Sequence, residues 1–308
     1  MPGDRGIYIV VITAGSLVRW TGKESDMGKL TAPAIATHKT RDGKDPLVMV
    51  TAYDAPGARM ASDAGADLIL VGDSLAMVVL GYDDTLQVSI DDMCHHTAAV
   101  ARAKPDCHIV GDMPWMSYHV SPQETVQNAA ALMRAGAHSV KLEGGRKRLP
   151  MIEQIIDAEI PVMGHIGLTP QSIHAMGGFK VQGKQAEHAR KLVQAAKSLA
   201  HAGCYAVVLE GVPARVAKMV TDAVDIPTIG IGAGMHCDGQ VLVYHDLLGI
   251  EDRFVPKFVR RYADIKGQSV EAIKAYAADV RSGAFPNDDE SYHMADEEAE
   301  ELHLYGAG

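Results

Sequence analysis

From residue 46 onward the chain alternates short apolar runs with segments whose apolar residues recur at helical spacing. "PLVMVTAYD" precedes "APGARMASDAG", and "DLILVGDS" precedes a helical stretch from Ile90 to Ala103. "CHIVGDMP" precedes "SPQETVQNAAALMRAG", where Ser121 and Glu124 predict a capping box at a helix start. "HSVKLEGG" precedes "KRLPMIEQIIDAE", and "IPVMGHIGLTP" leads through a loop into "KQAEHARKLVQAAKSLAHAG". "YAVVLEGVP" precedes "ARVAKMVTDAV"; "IPTIGIGAG" and "GQVLVYHDLLG" follow. That makes eight apolar runs. They are continuous rather than alternating, which means strands covered on both faces and hence a parallel sheet. Parallel strands need crossover helices, and eight such units predict a closed (β/α)8 TIM-type barrel. A doubly wound open sheet is the structural runner-up, but no strand-order switch point is marked. Residues 251 to 285 add further helix, such as "SVEAIKAYAADVRSG".

Bulk properties narrow this picture. The 308 residues suit one α/β barrel, and 47% apolar content can fill its core. Cys94, Cys107, Cys204 and Cys237 lack CxxC spacing and read as reduced thiols of a cytoplasmic protein, not zinc ligands. The net charge of −10 is misleading. Eight acidic residues fall after Asn287 with no Lys or Arg among them, so the body is close to neutral. Nothing resembles a basic nucleic-acid footprint. "IYIVVITAGSLV" has the length of a signal-peptide core, but Arg19, Trp20 and Lys23 follow it without a small-residue cleavage site. It is too short to span a membrane. The expected organisation is a disordered N-terminal extension over residues 1–27, with Met27 as the functional start. A single barrel over 28–293 and a solvated acidic tail over 294–308 follow.

Catalytic groups of this fold sit at the C-terminal ends of the strands. Polar residues collect there: Asp54, Asp73 with Ser74, Asp112, Lys141 with Glu143, His165, Glu210 and the glycines of "GIGAG". One such residue alone is readily explained as a helix cap; charged or polar tips on successive strands are not. Asp73, Asp112 and Glu143 end strands two, three and four. Neighbouring strands lie about 4.8 Å apart, so these carboxylates are expected to converge. Like charges that close need a proton or a cation among them, and an all-oxygen set suits Mg2+. Lys141 lies two residues from Glu143, so both point the same way. With His165 expected across the barrel, Lys141 would form a wall for a small carboxylate. A 2-oxo acid could chelate Mg2+, which would stabilise an enolate as a Lewis acid. Glu210 closes "YAVVLE"; apolar surroundings would raise its pKa and make it a base, and the bland reading is an ion pair with an Arg. "GIGAG" is either a phosphate-binding loop or a place of close packing.

These stretches, together with "LVGDSLAMVVLGYDDT", "CHHTAAVARA", "MRAGAHSVKLEGG", "GHIGLTPQS", "GGFKVQG" and "VPKF", resemble the ketopantoate hydroxymethyltransferase family of pantothenate biosynthesis. The resemblance spans about residues 28 to 293. It implies a barrel of the phosphoenolpyruvate mutase and isocitrate lyase group, with Mg2+ as cofactor and 5,10-methylenetetrahydrofolate as one-carbon donor. The family's direct metal ligands fall on Asp73 and Asp112, and its more distant metal-associated acid on Glu143. Ser74, Lys141 and His165 match positions that hold the oxo acid or its product, and Glu210 matches the proposed base. A cytoplasmic decamer of two pentameric rings is also implied. Tyr82 departs from a frequent His, and both chain ends lie outside the pattern.

The implied substrate, 3-methyl-2-oxobutanoate, carries one proton on C3. Direct attack of its enolate on a folate iminium would leave a quaternary C3 with no proton to drive loss of the amine. Release of formaldehyde inside the site, followed by aldol addition, avoids that dead end. A rival reading on the same scaffold is a Mg2+-dependent 2-oxo acid C–C lyase or phosphonomutase. Such relatives carry a reactive Cys in a "KxCGH"-type loop where this chain has "KLEGG". A non-catalytic acid-binding barrel would not need a base beside metal ligands.

Overall fold

The computed structural model describes residues 12–13, 16–17, 29–251, 253 and 255–302. Eight parallel strands close into a barrel: β1 (Leu47–Thr51), β2 (Leu68–Val71), β3 (His108–Asp112), β4 (Ser139–Glu143), β5 (Val162–Gly167), β6 (Ala206–Glu210), β7 (Thr228–Ile231) and β8 (Gly239–Leu242). Neighbours in sequence are neighbours in space, and β8 closes the ring by pairing with both β7 and β1. The barrel expected from the continuous apolar runs is the one found. A short helix α1 (Ala32–Ala36) precedes β1. The crossovers carry α2 (Ala55–Asp63), α3 (Leu75–Val78), α4 (Ile90–Arg102), α5 (Pro122–Arg134), α6 (Leu149–Asp157), α7 (Ile173–Met176), α8 (Ala186–His201) and α9 (Ala214–Ala223). After β8 come α10 (Tyr244–Leu247), α11 (Ile265–Ser282) and α12 (Asp296–Glu301).

Local signals explain several boundaries. Ser89 and Asp92 cap α4 reciprocally, each side chain taking the other's backbone N–H. At α5 only half of the expected box forms: Ser121 accepts from the Glu124 N–H, with no return bond. Asp54 accepts from the Gly57 N–H at 2.7 Å, so this strand-tip carboxylate is a helix cap and not part of the site. The acidic C-terminal segment, expected to be solvated chain, contains helix α12 with Ala299 buried; three acidic residues in its first turn suit the positive helix N-terminus. The expectations for residues 1–27 fall outside the described residues, apart from an antiparallel pairing of Ile12–Thr13 with Ser16–Leu17.

Side chains alternate along each strand, and this sorts the core into two layers. Ile69, Ile109, Val140, Leu142, Val207 and Leu209 face outward onto Val100, Leu132, Ile152, Leu199 and Ala217 of the helices. Leu68, Leu70, Val110, Met163, Ala206 and Val208 fill the barrel interior. Each Val, Leu, Ile or Met side chain so taken from water stabilises the fold by about 1.5–3 kcal/mol. Helical cover lapses at β1, whose Val48 is 54% exposed on the outer face. The eighteen residues of α11 include none that is buried, so that helix does not pack into the barrel core.

The inward series ends in polar groups at both ends of the barrel. At the N-terminal end Lys39 reaches under the strands to Asp238, 2.6 Å away, just before β8. Above it, His108 Nε2 lies 2.9 Å from Ser139 Oγ, which in turn lies 2.8 Å from the Tyr205 hydroxyl. At the C-terminal end the inward positions are Asp112, Lys141, Glu143, His165 and Glu210, all buried except the partly accessible Glu210.

Candidate active site

Strand register builds the site. Asp112 is level with Lys141, and Glu143 is level with His165, on directly paired strands. His165 is therefore beside Lys141 and not across the barrel as expected: β5 adjoins β4, and its Nδ1 lies 3.4 Å from Lys141 Nζ. Lys141 Nζ is 2.9 Å from Asp112 Oδ1. Burial opposes its charge, but Asp112, Glu143 and Asp73 more than offset this and raise its pKa.

Asp73 lies just past the end of β2. Its backbone N–H donates to Asp112 Oδ2 at 3.2 Å, while its own Oδ2 accepts from the Gln171 amide at 2.9 Å. Burial, and then the negative charges of Asp112 and Glu143, push the Asp73 carboxyl well above its ordinary pKa. Ser74 Oγ lies 2.9 Å from the Tyr53 hydroxyl.

Glu143 Oε2 accepts from the Gln171 backbone N–H at 3.0 Å, and its Oε1 lies 3.5 Å from His165 Nδ1. The other ring nitrogen, Nε2, lies 3.2 Å from Glu210 Oε2. Burial and the Lys141 charge both work against a protonated ring, yet Glu143 and Glu210 outweigh them and raise His165 to about 9. Glu210 thus has a partner that neither sequence reading anticipated. It faces an imidazole, not a purely apolar wall or an Arg, because β5 and β6 are paired and both tips turn inward.

Three side chains of the site escaped sequence reasoning. Gln171 and Tyr118 lie in the loops after β5 and β3 and join the carboxylates from outside the strands. Gln171 belongs to the "GHIGLTPQS" stretch, but no periodicity marks it. Tyr53, two residues past β1, sits beside Ser74. The "GIGAG" glycines serve close packing: a Cβ on Gly232 would meet Phe258 Cδ1 at 2.7 Å, and one on Gly234 would meet Ala214 Cβ at 2.4 Å.

The donor set fits a divalent cation held by few protein ligands. Asp112 Oδ1 is buried, with the Lys141 ammonium 2.9 Å away. Asp73, Asp112, Glu143 and Glu210 carry more negative charge than Lys141 and His165 can balance. Among the described residues no three His, Cys, Asp or Glu side chains form a ready-made cage. Of the three expected ligands, Asp73 and Asp112 come together, whereas Glu143 is turned toward Gln171 and His165.

A closed parallel barrel with an acid-rich cluster at its strand tips defines a class, and comparison with known proteins agrees. A 2,3-dimethylmalate lyase, described as a phosphoenolpyruvate mutase/isocitrate lyase superfamily member, superimposes with a TM-score of 0.54 at 16% identity, covering 90% of this chain and 100% of that one. A phosphonopyruvate hydrolase in complex with oxalate and Mg2+ gives 0.55 at 13% identity, covering 89% and 96%. At these identities the likeness establishes the fold. The family model described as ketopantoate hydroxymethyltransferase matches residues 29–288. A 3-methyl-2-oxobutanoate hydroxymethyltransferase of Syntrophobacter fumaroxidans is 52% identical over 275 residues, 89% of this chain and 96% of the relative. The chain belongs to the ketopantoate hydroxymethyltransferase family, and it is an enzyme.

Proposed function

We propose that the protein transfers a hydroxymethyl group from 5,10-methylenetetrahydrofolate to 3-methyl-2-oxobutanoate, yielding ketopantoate and tetrahydrofolate for pantothenate and coenzyme A synthesis. Family membership over nearly the whole barrel supports the reaction. The single observation that carries the site assignment is the approach of Asp73 to Asp112, whose Oδ1 has Lys141 Nζ at 2.9 Å, in the same buried cluster as a His165–Glu210 pair. Asp73 and Asp112 would hold Mg2+, with Glu143 as a more distant associated acid. When bound, the cation supplies Lewis-acid stabilisation of negative charge developing on the substrate.

This chain's residues then have separate tasks. Lys141 offers a buried positive charge to the substrate carboxylate, and Ser74 offers a hydroxyl. Glu210 takes the C3 proton; its contact with His165 Nε2 gives that proton a place in a polar pair. One water hydrolyses the folate methylene to formaldehyde and tetrahydrofolate within the site; the nucleophilic C3 adds to that formaldehyde, and the new alkoxide takes back the proton held by Glu210. The barrel's buried strand tips limit water around the carbanion.

The chain contains, among the described residues, no helix long and apolar enough to cross a membrane. Action in the cytoplasm and assembly as a decamer of two pentameric rings are further parts of the proposal, supported by the family resemblance. The exposed Ile273 and Tyr276 of α11 offer apolar surface for contacts between copies.

The test is incubation with 3-methyl-2-oxobutanoate, Mg2+ and methylenetetrahydrofolate labelled with 13C in the methylene group. The label should appear in a hydroxymethyl carbon of the product. Label remaining wholly on folate would overturn the assignment.

A further inference from the structure

Both aspartates placed as cation ligands have one oxygen occupied by a protein N–H. Asp112 Oδ2 accepts from the Asp73 backbone at 3.2 Å, and its Oδ1 faces Lys141 Nζ at 2.9 Å. Asp73 Oδ2 accepts from Gln171 Nε2 at 2.9 Å. The first contact is backbone and exists wherever the strand tips do. The second depends on one side chain from a loop 98 positions away in sequence.

Every polar atom of Gln171 that could fix this contact is engaged. Nε2 also donates to the Met113 carbonyl at 3.0 Å, and Oε1 accepts from the Tyr118 hydroxyl. An obligate carbonyl acceptor and a carboxylate beside the same atom require the NH2 end of the amide there, so its orientation is not interchangeable. The backbone N–H of Gln171 donates to Glu143 Oε2, and the Glu143 N–H donates to the Tyr118 hydroxyl at 3.2 Å. Tyr118 and Gln171 are both buried, and the Arg148 guanidinium lies 5.5 Å from the Tyr118 ring centre. The network is closed, with Asp73 at one end and Glu143 at the other.

We infer that Gln171, oriented by Tyr118, is a positioning residue that commits Asp73 Oδ2 to the protein and leaves the other oxygen to meet the cation. This rests on the Mg2+ reading of the site. Removing an outer partner that orients a metal ligand lowers metal affinity by roughly 10–100-fold. The same contacts would also stitch two loops together, but loop stitching alone predicts lower thermal stability without a change in cation affinity.

The experiment measures Mn2+ binding to the full-length protein, without substrate, by electron paramagnetic resonance of the free ion. Wild type, Gln171→Met and Tyr118→Phe are compared alongside their melting temperatures. Gln171→Met, which keeps the side-chain length, should bind Mn2+ 10–100-fold more weakly. Tyr118→Phe should weaken binding about tenfold, and the double variant should be no worse than Gln171→Met because Tyr118 acts through Gln171. Affinity within twofold of wild type in either folded variant overturns the inference, so a Gln171→Met that does not fold leaves Tyr118→Phe to decide. Failure of the wild type itself to bind Mn2+ would overturn the metal reading on which the inference stands.

Discussion

The barrel holds two buried lysine–aspartate pairs, one at each end, and they are built to opposite specifications. At the N-terminal end Lys39 Nζ donates to Asp238 Oδ2 at 2.6 Å and to the carbonyls of Thr221 and Ile226 at 3.1 Å. Asp238 Oδ2 also accepts from the Thr228 N–H, and its Oδ1 accepts from the Thr40 N–H and hydroxyl. All three ammonium donors and both carboxylate oxygens are used. At the C-terminal end Lys141 Nζ has Asp112 Oδ1 at 2.9 Å and His165 Nδ1 at 3.4 Å, among further carboxylates. A buried pair becomes structural when its hydrogen bonds are complete, and open to ligands when they are not. The first pair ties the segment before β1 to the starts of β7 and β8; on the proposed reading, the second is left for a cation and an anion to complete.

The widest separation should come from removing each aspartate. Asp112→Ala should abolish cation binding and lower turnover by at least about 10³-fold, with a melting temperature near wild type, because neighbouring acids still compensate Lys141. Turnover retained without added metal would break the comparison at its catalytic end. Asp238→Ala should do the reverse. Stranding Lys39 should cost about 3–5 kcal/mol in urea unfolding, while activity per folded molecule stays unchanged. A loss of activity in the surviving folded fraction would show that the two ends are not separable. Replacing the N-terminal pair together, Lys39→Met with Asp238→Leu, should cost much less than either single change, because no orphan charge remains.

The smallest expected effect is on pH dependence. Burial works against the Asp238 charge, but hydrogen bonds from Lys39, Thr228 and Thr40 outweigh it and hold the carboxyl below its ordinary value. A depressed folded pKa stabilises the native state at pH above the unfolded carboxylate value. That stabilisation is lost as pH falls through the folded value. Urea unfolding of the wild type should therefore weaken below about pH 4, and Asp238→Asn should flatten part of that acid limb. An unaltered slope in the variant would remove Asp238 from the acid response.

The comparison also shows what the sequence makes legible. Asp73, Asp112, Lys141, Glu143, His165 and Glu210 end apolar runs, and parallel strands carry such ends to one face, so one-dimensional pattern and three-dimensional site coincide. The neighbour relations within that face are less visible. His165 was expected across the barrel and instead adjoins Lys141, because consecutive strands are adjacent all the way round. Gln171 and Tyr118 sit in loops, where no period announces direction. Lys39 and Asp238, separated by 199 positions, meet only because the barrel closes. Likewise "GIGAG" leaves a ligand loop and close packing both open until Phe258 and Ala214 are seen packed against its glycines.

The central claim is that the C-terminal cluster joins a cation to a base for enolisation of 3-methyl-2-oxobutanoate. The most direct measurement is proton NMR of that acid in D2O with enzyme, Mg2+ and tetrahydrofolate. The account predicts loss of the C3 proton signal that disappears when Mg2+ is removed and falls by about 10²–10⁴-fold in Glu210→Gln while substrate still binds. Exchange at the wild-type rate in Glu210→Gln, or without the metal, would contradict it.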